Sequence, residues 1–218
     1  MRKKLAMITG FSFMVLFLAS FMVANASSRP LTMKEQEYIS KIQIINRDIE
    51  QEMYYDTRNS SGDLNFEFLM RLQTLQRIIL TTAKAEERYG QDALVKKYAS
   101  LIIEDKQKYL EQIEILIPLI QENMTDDKIK ENKYSSSYGD VYKKLNKSTR
   151  PIHEVEEIIR SKGVDREFLG RVILQLEAMT EMLTLIHSHS QNEKIIDLVE
   201  SIAHQHQEQL EDLYKLVG

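Results

Sequence analysis

Apolar residues recur at helical spacing along nearly the whole chain, and no stretch alternates apolar and polar residues over a strand's length. Tyr38, Ile42, Ile45, Ile49 and Met53 form one stripe. Ahead of it stands Thr32-Met33-Lys34-Glu35, a capping box whose hydroxyl and carboxylate satisfy the free N–H groups of a first turn. Asn59-Ser60-Ser61-Gly62-Asp63 reads as a loop. The next helix opens at Phe68 and Leu69 and carries Leu72, Gln76, Ile79 and Ala83 on one face. It ends near Tyr89-Gly90, where glycine supplies a left-handed stop. Asp92 caps a helix bearing Leu94, Val95, Tyr98, Ile102, Leu110, Ile113 and Ile117, and Pro118 kinks or ends it. The stretch from Thr125 to Asp140 is charged and Ser-rich and reads as a linker. From about Tyr138 to Ile159 a further helix contains Thr149-Arg150-Pro151, which predicts a kink or a restart.

A gap-free shift of about a hundred residues lays the second half on the first. Glu67-Phe68-Leu69 falls on Glu167-Phe168-Leu169, Arg71 on Arg171, Asp92 on Asn192, Ile102 on Ile202 and Leu110 on Leu210. Apolar positions also match in type: Leu72 with Val172, Val95 with Ile195, Ile113 with Leu213. One helix pair cannot bury both its apolar faces, whereas two pairs around a pseudo-twofold axis can. The expected fold class is therefore all-α. Two repeated hairpins form a four-helix core at 65–90, 92–117, 165–189 and 192–217, and two additional helices lie against it. The first repeat covers 27–123, the linker 124–137 and the second repeat 138–218, with both repeats in one bundle domain.

Composition changes the picture at the N-terminus. Arg2, Lys3 and Lys4 precede an apolar run from Leu5 to Val23, then Ala24-Asn25-Ala26 before Ser27. This order is that of a secretory signal peptide over 1–26; the run is also just long enough for an uncleaved membrane anchor. No cysteine follows it, so a lipoprotein anchor is excluded. The expected location is periplasmic or secreted, off the membrane once the leader is cleaved. With no Cys anywhere, neither disulfides nor thiolate ligands are available. Removing the leader's three basic residues from 29 basic against 33 acidic leaves a net charge of −7. That balance argues against a nucleic-acid partner. A protein partner or a second copy of the chain remains.

Three features together suggest a family. They are Ser61-Gly62-Asp63-Leu64-Asn65-Phe66-Glu67-Phe68-Leu69, Gly163-Val164-Asp165-Arg166-Glu167-Phe168-Leu169, and the helix–turn–helix after each. They resemble the exported ferritin-like proteins of the domain-of-unknown-function 305 family; a second exported ferritin-like family of unknown function has a similar helix pair. The resemblance implies a ferritin-like core and metal handling, plausibly of copper, through paired His and Met side chains. Where the family has its His-His pair, this chain has Leu75-Gln76 and Gln175-Leu176, and the Met pattern survives in part as Met179 and Met182.

The chemistry readable from the residues is sparse. A di-iron centre needs Glu-x-x-His on two helices, and none occurs here; Glu177 has Arg77 as its counterpart. No Ser-His-Asp set, Gly-rich phosphate loop or paired-carboxylate cleft can be placed, so the reading is non-catalytic. The candidate metal ligands are His187, His189, His204 and His206, for copper or zinc bound weakly. His187 is expected near residues 193 to 195, with His204 about 15 Å further along. His206 continues the Ile202–Leu210 stripe and is expected to be partly buried. Met53, Met70, Met179 and Met182 read as core filler, and Glu104-Asp105-Lys106-Gln107-Lys108 as a solvated face. Gln73, Gln76 and Gln175 lie close to the core stripes; if buried they need partners, from each other or in a small polar pocket. Two functions remain: a non-catalytic binding or interaction protein of the cell envelope, or a weak metal-buffering protein.

Overall fold

The computed structural model describes residues 29–55, 63–123 and 138–217, and within them the chain is helical with no strand. The expected leader, the loop residues before Asp63 and the 124–137 linker lie outside the described residues. The described helices are α1 (Met33–Tyr55), α2 (Leu64–Tyr89), α3 (Ala93–Gln121), α4 (Gly139–Ser148), α5 (Ile152–Lys162), α6 (Val164–His189) and α7 (Glu193–Val217).

Local chemistry sets most of these boundaries. In the capping box, Thr32 N–H donates to Glu35 Oε2 at 2.8 Å and Glu35 N–H to Thr32 Oγ1 at 3.3 Å. Asp63 accepts from Phe66 N–H at 2.9 Å and starts α2; Asp92 accepts from Leu94 and Val95 and starts α3. Asn192 does the same for α7 with Lys194 and Ile195. Pro151 restarts the chain after α4, and the α5 hydrogen bonds begin at its carbonyl.

Two expectations need correction. Gly90 is not left-handed: its φ is −60°, and a Cβ there would lie 2.7 Å from the Glu86 carbonyl oxygen, so the position is reserved for glycine by close approach of the backbone. Gly163, at φ 85°, is the left-handed glycine among the described residues and ends α5. Finally, α3 runs through Pro118 to Gln121, where buried Ile120 holds the extra turn.

The hairpin α2–α3 and the hairpin α6–α7 each pack side by side. α2 also runs along α6, and α3 along α7. Asn65, at the start of α2, meets Ser190 just past α6, while Asp165, at the start of α6, meets the turn after α2, so these two helices are antiparallel. Against this set lie α1, on α2, and α4 and α5, on α6. The stripes of α1 and α2 are buried at Tyr38, Ile42, Ile45, Ile49, Leu72, Ile79 and Ala83, all within 1% of full burial, while Met53 at the end of the α1 stripe is half-buried. On α3 the stripe is rotated. Leu94 is 49% exposed and Leu110 only half-buried, and Lys106 and Tyr109 take the inner positions.

Candidate functional site

The interior holds several charged and polar side chains, each positioned by helix spacing and by a partner on another element. Glu167 and Arg171 lie one turn apart on α6, both fully buried, with Arg171 Nη2 donating to Glu167 Oε1 at 2.8 Å. Tyr38 of α1 donates to Glu167 Oε2 at 2.6 Å. Arg171 Nη1 reaches Asn46 Oδ1 at 2.8 Å and the Ser148 carbonyl at 2.5 Å. On α2, Arg71 donates to Tyr142 Oη of α4 at 2.5 Å and to Glu67 at 3.5 Å, and it stacks on the Tyr138 ring at 4.2 Å. Each network is neutralised and hydrogen-bonded, as buried charge requires.

A second polar layer joins α3 to α7. Lys106, expected on a solvated face, is fully buried; its Nζ lies 3.1 Å from His206 Nδ1 and donates to Gln209 Oε1 at 3.3 Å. Asp105 accepts from the side-chain amides of Gln205 and Gln209, and Tyr109 donates to Gln205 Oε1 at 2.6 Å. Burial, partly opposed by Asp105, brings the Lys106 ammonium down to about 7. Burial and the neighbouring lysine hold His206 well below the usual imidazole range, against a raising influence from the Leu176 carbonyl.

At the junction of α2 and α6, Asp165 accepts from the backbone N–H groups of Gln91 and Asp92, both at 2.8 Å. Burial works against its charge, but Glu86 and these amides outweigh that and keep it low. Glu86 goes the other way: burial, then the adjacent Asp165 carboxylate, push its carboxyl up to about 9.

The four histidines proposed as ligands do not gather. His204 is exposed, and its nearest charged neighbour is Glu208 on its own helix. His189 lies in the last turn of α6. His206 is 1% exposed, buried rather than half-buried. His187 Nε2 meets Glu200 Oε1 at 3.1 Å, further along α7 than the expected 193–195. Helical side chains lean toward their own N-termini, so His187 leans away from the turn, Glu200 leans toward it, and the two meet. One groove between α6 and α7 is nevertheless lined by both His187 and His206. Among the described residues, no three His, Asp or Glu side chains converge on a point where an ion could sit.

Gln76 and Gln175 are fully buried but do not pair; neither side-chain amide makes a hydrogen bond among the described residues. Sequence reasoning missed Lys106, Tyr109 and Glu86. The available signal was their spacing: Ile102, Lys106, Tyr109 and Ile113 continue one helical face. Comparison with protein-family models, curated proteins and solved structures finds no match.

Proposed function

We propose that this chain is an exported, non-catalytic bundle protein of the cell envelope, with a ferritin-like core built from two copies of one helix-hairpin unit and a role in binding. The duplication is supported by contacts that recur under the hundred-residue shift. Arg77–Glu114 and Glu87–Ser100 in one hairpin match Glu177–Tyr214 and His187–Glu200 in the other. Across the two hairpins, Asp105–Gln209 mirrors Tyr109–Gln205. Lys106 touches its own counterpart, His206, as a residue on a twofold axis meets its copy. The outer helices cross over in the same sense: Tyr38 reaches Glu167, and its counterpart Tyr138 stacks under Arg71. The lead-ins Asp63–Leu69 and Asp165–Leu169 open α2 and α6, so the two copies correspond at their helix starts as well.

One observation carries the non-catalytic reading. The buried carboxylate Glu167 is already satisfied by Tyr38, Arg150 and Arg171, where a metal-handling bundle would converge free carboxylates or imidazoles. Titration calorimetry with Cu²⁺ and Zn²⁺ on tag-free protein beginning at Ser27 tests it. The expected result is binding no tighter than micromolar, fading below about pH 6.5 as imidazoles protonate and lost in the His187→Ala/His189→Ala double variant. A stoichiometric nanomolar site would overturn the reading. Export is checked separately: mass spectrometry of protein from the native host is expected to show Ser27 as the first residue.

A further inference from the structure

We propose that the outer edge of α3 is a self-docking surface, on which a second copy of this chain lays its own α3 antiparallel about a twofold axis. This rests on the binding role above and names its partner.

Leu94, Leu101, Ile115 and Leu119 are between 39% and 65% exposed along one edge of α3. Leu94, Leu101, Lys108 and Ile115 recur every seven residues, and Tyr98, Gln112 and Leu119 each stand four residues after one of them. This is the spacing of a coiled-coil seam, about 38 Å long at 1.5 Å per residue. The fold itself does not call for the apolar residues. α7 holds the same place in its own hairpin, and the positions matching Leu94, Leu101 and Ile115 are Lys194, Ser201 and Lys215, all exposed. The first hairpin alone therefore carries an apolar strip of the kind that marks an interaction site.

Charge selects the occupant and its direction. Glu104 and Lys108 are exposed beside the strip. A parallel copy sets Glu104 against Glu104 and Lys108 against Lys108, like charge on like. An antiparallel copy with Leu94 opposite Leu119 brings Tyr98 opposite Ile115, Leu101 opposite Gln112, and Glu104 beside Lys108. Twofold symmetry makes each of these pairings twice. Opposite charges along a helix seam set partner choice and orientation. A second α3 thus complements the strip throughout, apolar against apolar and acid against base. A seam one helix wide falls at or below the ~1,600 Å² of a standard interface, so the expected dimer is micromolar.

Sedimentation equilibrium of tag-free protein beginning at Ser27 tests the surface. A dimer that dissociates on dilution through the micromolar range is expected. Leu94→Lys/Leu101→Ser/Ile115→Lys gives α3 the residues that α7 carries. It is expected to weaken self-association by about tenfold or more with unchanged helical circular dichroism. Two single variants at exposed positions, Glu104→Lys and Lys108→Glu, give a second measurement that does not depend on the triple variant folding. Each is expected to weaken its own dimer by about tenfold. Mixed in equal amounts they are expected to form a heterodimer, because acid then faces base at both pairings. A protein that stays monomeric at about a hundred micromolar, a dimer untouched by the triple variant, or single variants that fail to recombine would each overturn the surface. A monomer with weak metal binding defeats the surface and leaves the non-catalytic reading standing. A nanomolar metal site defeats that reading whatever the mass.

Discussion

At Lys106 an amine with an ordinary value of 10.5 is brought down to about 7 by burial. The folded state therefore binds this proton less well than the unfolded chain does. Stability present above pH 10.5 is lost as pH falls toward 7. Lys106→Met removes the buried charge, so the gap between variant and parent should widen in the variant's favour over that window, by about 1–4 kcal/mol. Denaturant titrations at several pH values measure it. The variant also leaves Gln209 without a donor, an offset that does not change with pH. Glu86 has the opposite sign. Its folded value, about 9, lies above its ordinary 4.5, so its contribution is complete below pH 4.5 and is lost as pH rises toward 9. Glu86→Gln is expected to gain on the parent as pH rises, by at most about 4 kcal/mol by pH 7.5. A flat difference for either variant would mean that the group titrates as it does in water.

At the scale of elements, α1 is fixed to α6 by the hydroxyl of Tyr38 and by Asn46. Tyr38→Phe keeps the ring and loses one hydrogen bond to a carboxylate, an expected cost of about 1.5–3 kcal/mol. Arg171→Met strands Glu167 in the interior and should cost about 3–5 kcal/mol. Thermal melts of the two variants rank them; equal losses would show that Arg150 alone can hold Glu167. These contacts mark the limit of what the sequence discloses. The stripes of α1 and α2, the caps Asp63, Asp92 and Asn192, and the restart at Pro151 are visible because each depends on neighbours within a turn or two. Lys106 and Glu86 are invisible because a charge is assigned to solvent unless its partner is known, and the partners lie on other helices. The groove joining His187 to His206 depends on side-chain lean, which residue spacing alone does not express. Residue type marks Gly90 as a terminator but not the reason, which is the close approach of the preceding turn at Glu86.

At the scale of the molecule, the two hairpins close each other's ends. Asp165 accepts the amides of Gln91 and Asp92 in the opposite hairpin's turn, and Ser190 donates to Asn65. A surface turn ordinarily opens on its own, and its amides exchange with solvent long before the rest of the protein. Here the turn cannot release its two amides without separating α2 from the start of α6. The protection of Gln91 and Asp92 should therefore approach that of core helix amides and follow global stability through a denaturant series. Asp165→Ala is expected to drop both to the exchange rate of a local fluctuation while α6 core amides keep theirs. Exchange of both at loop rates in the parent protein would show that the halves breathe independently. The expected outcome is that the two hairpins unfold as a single cooperative unit, neither half leaving the other intact.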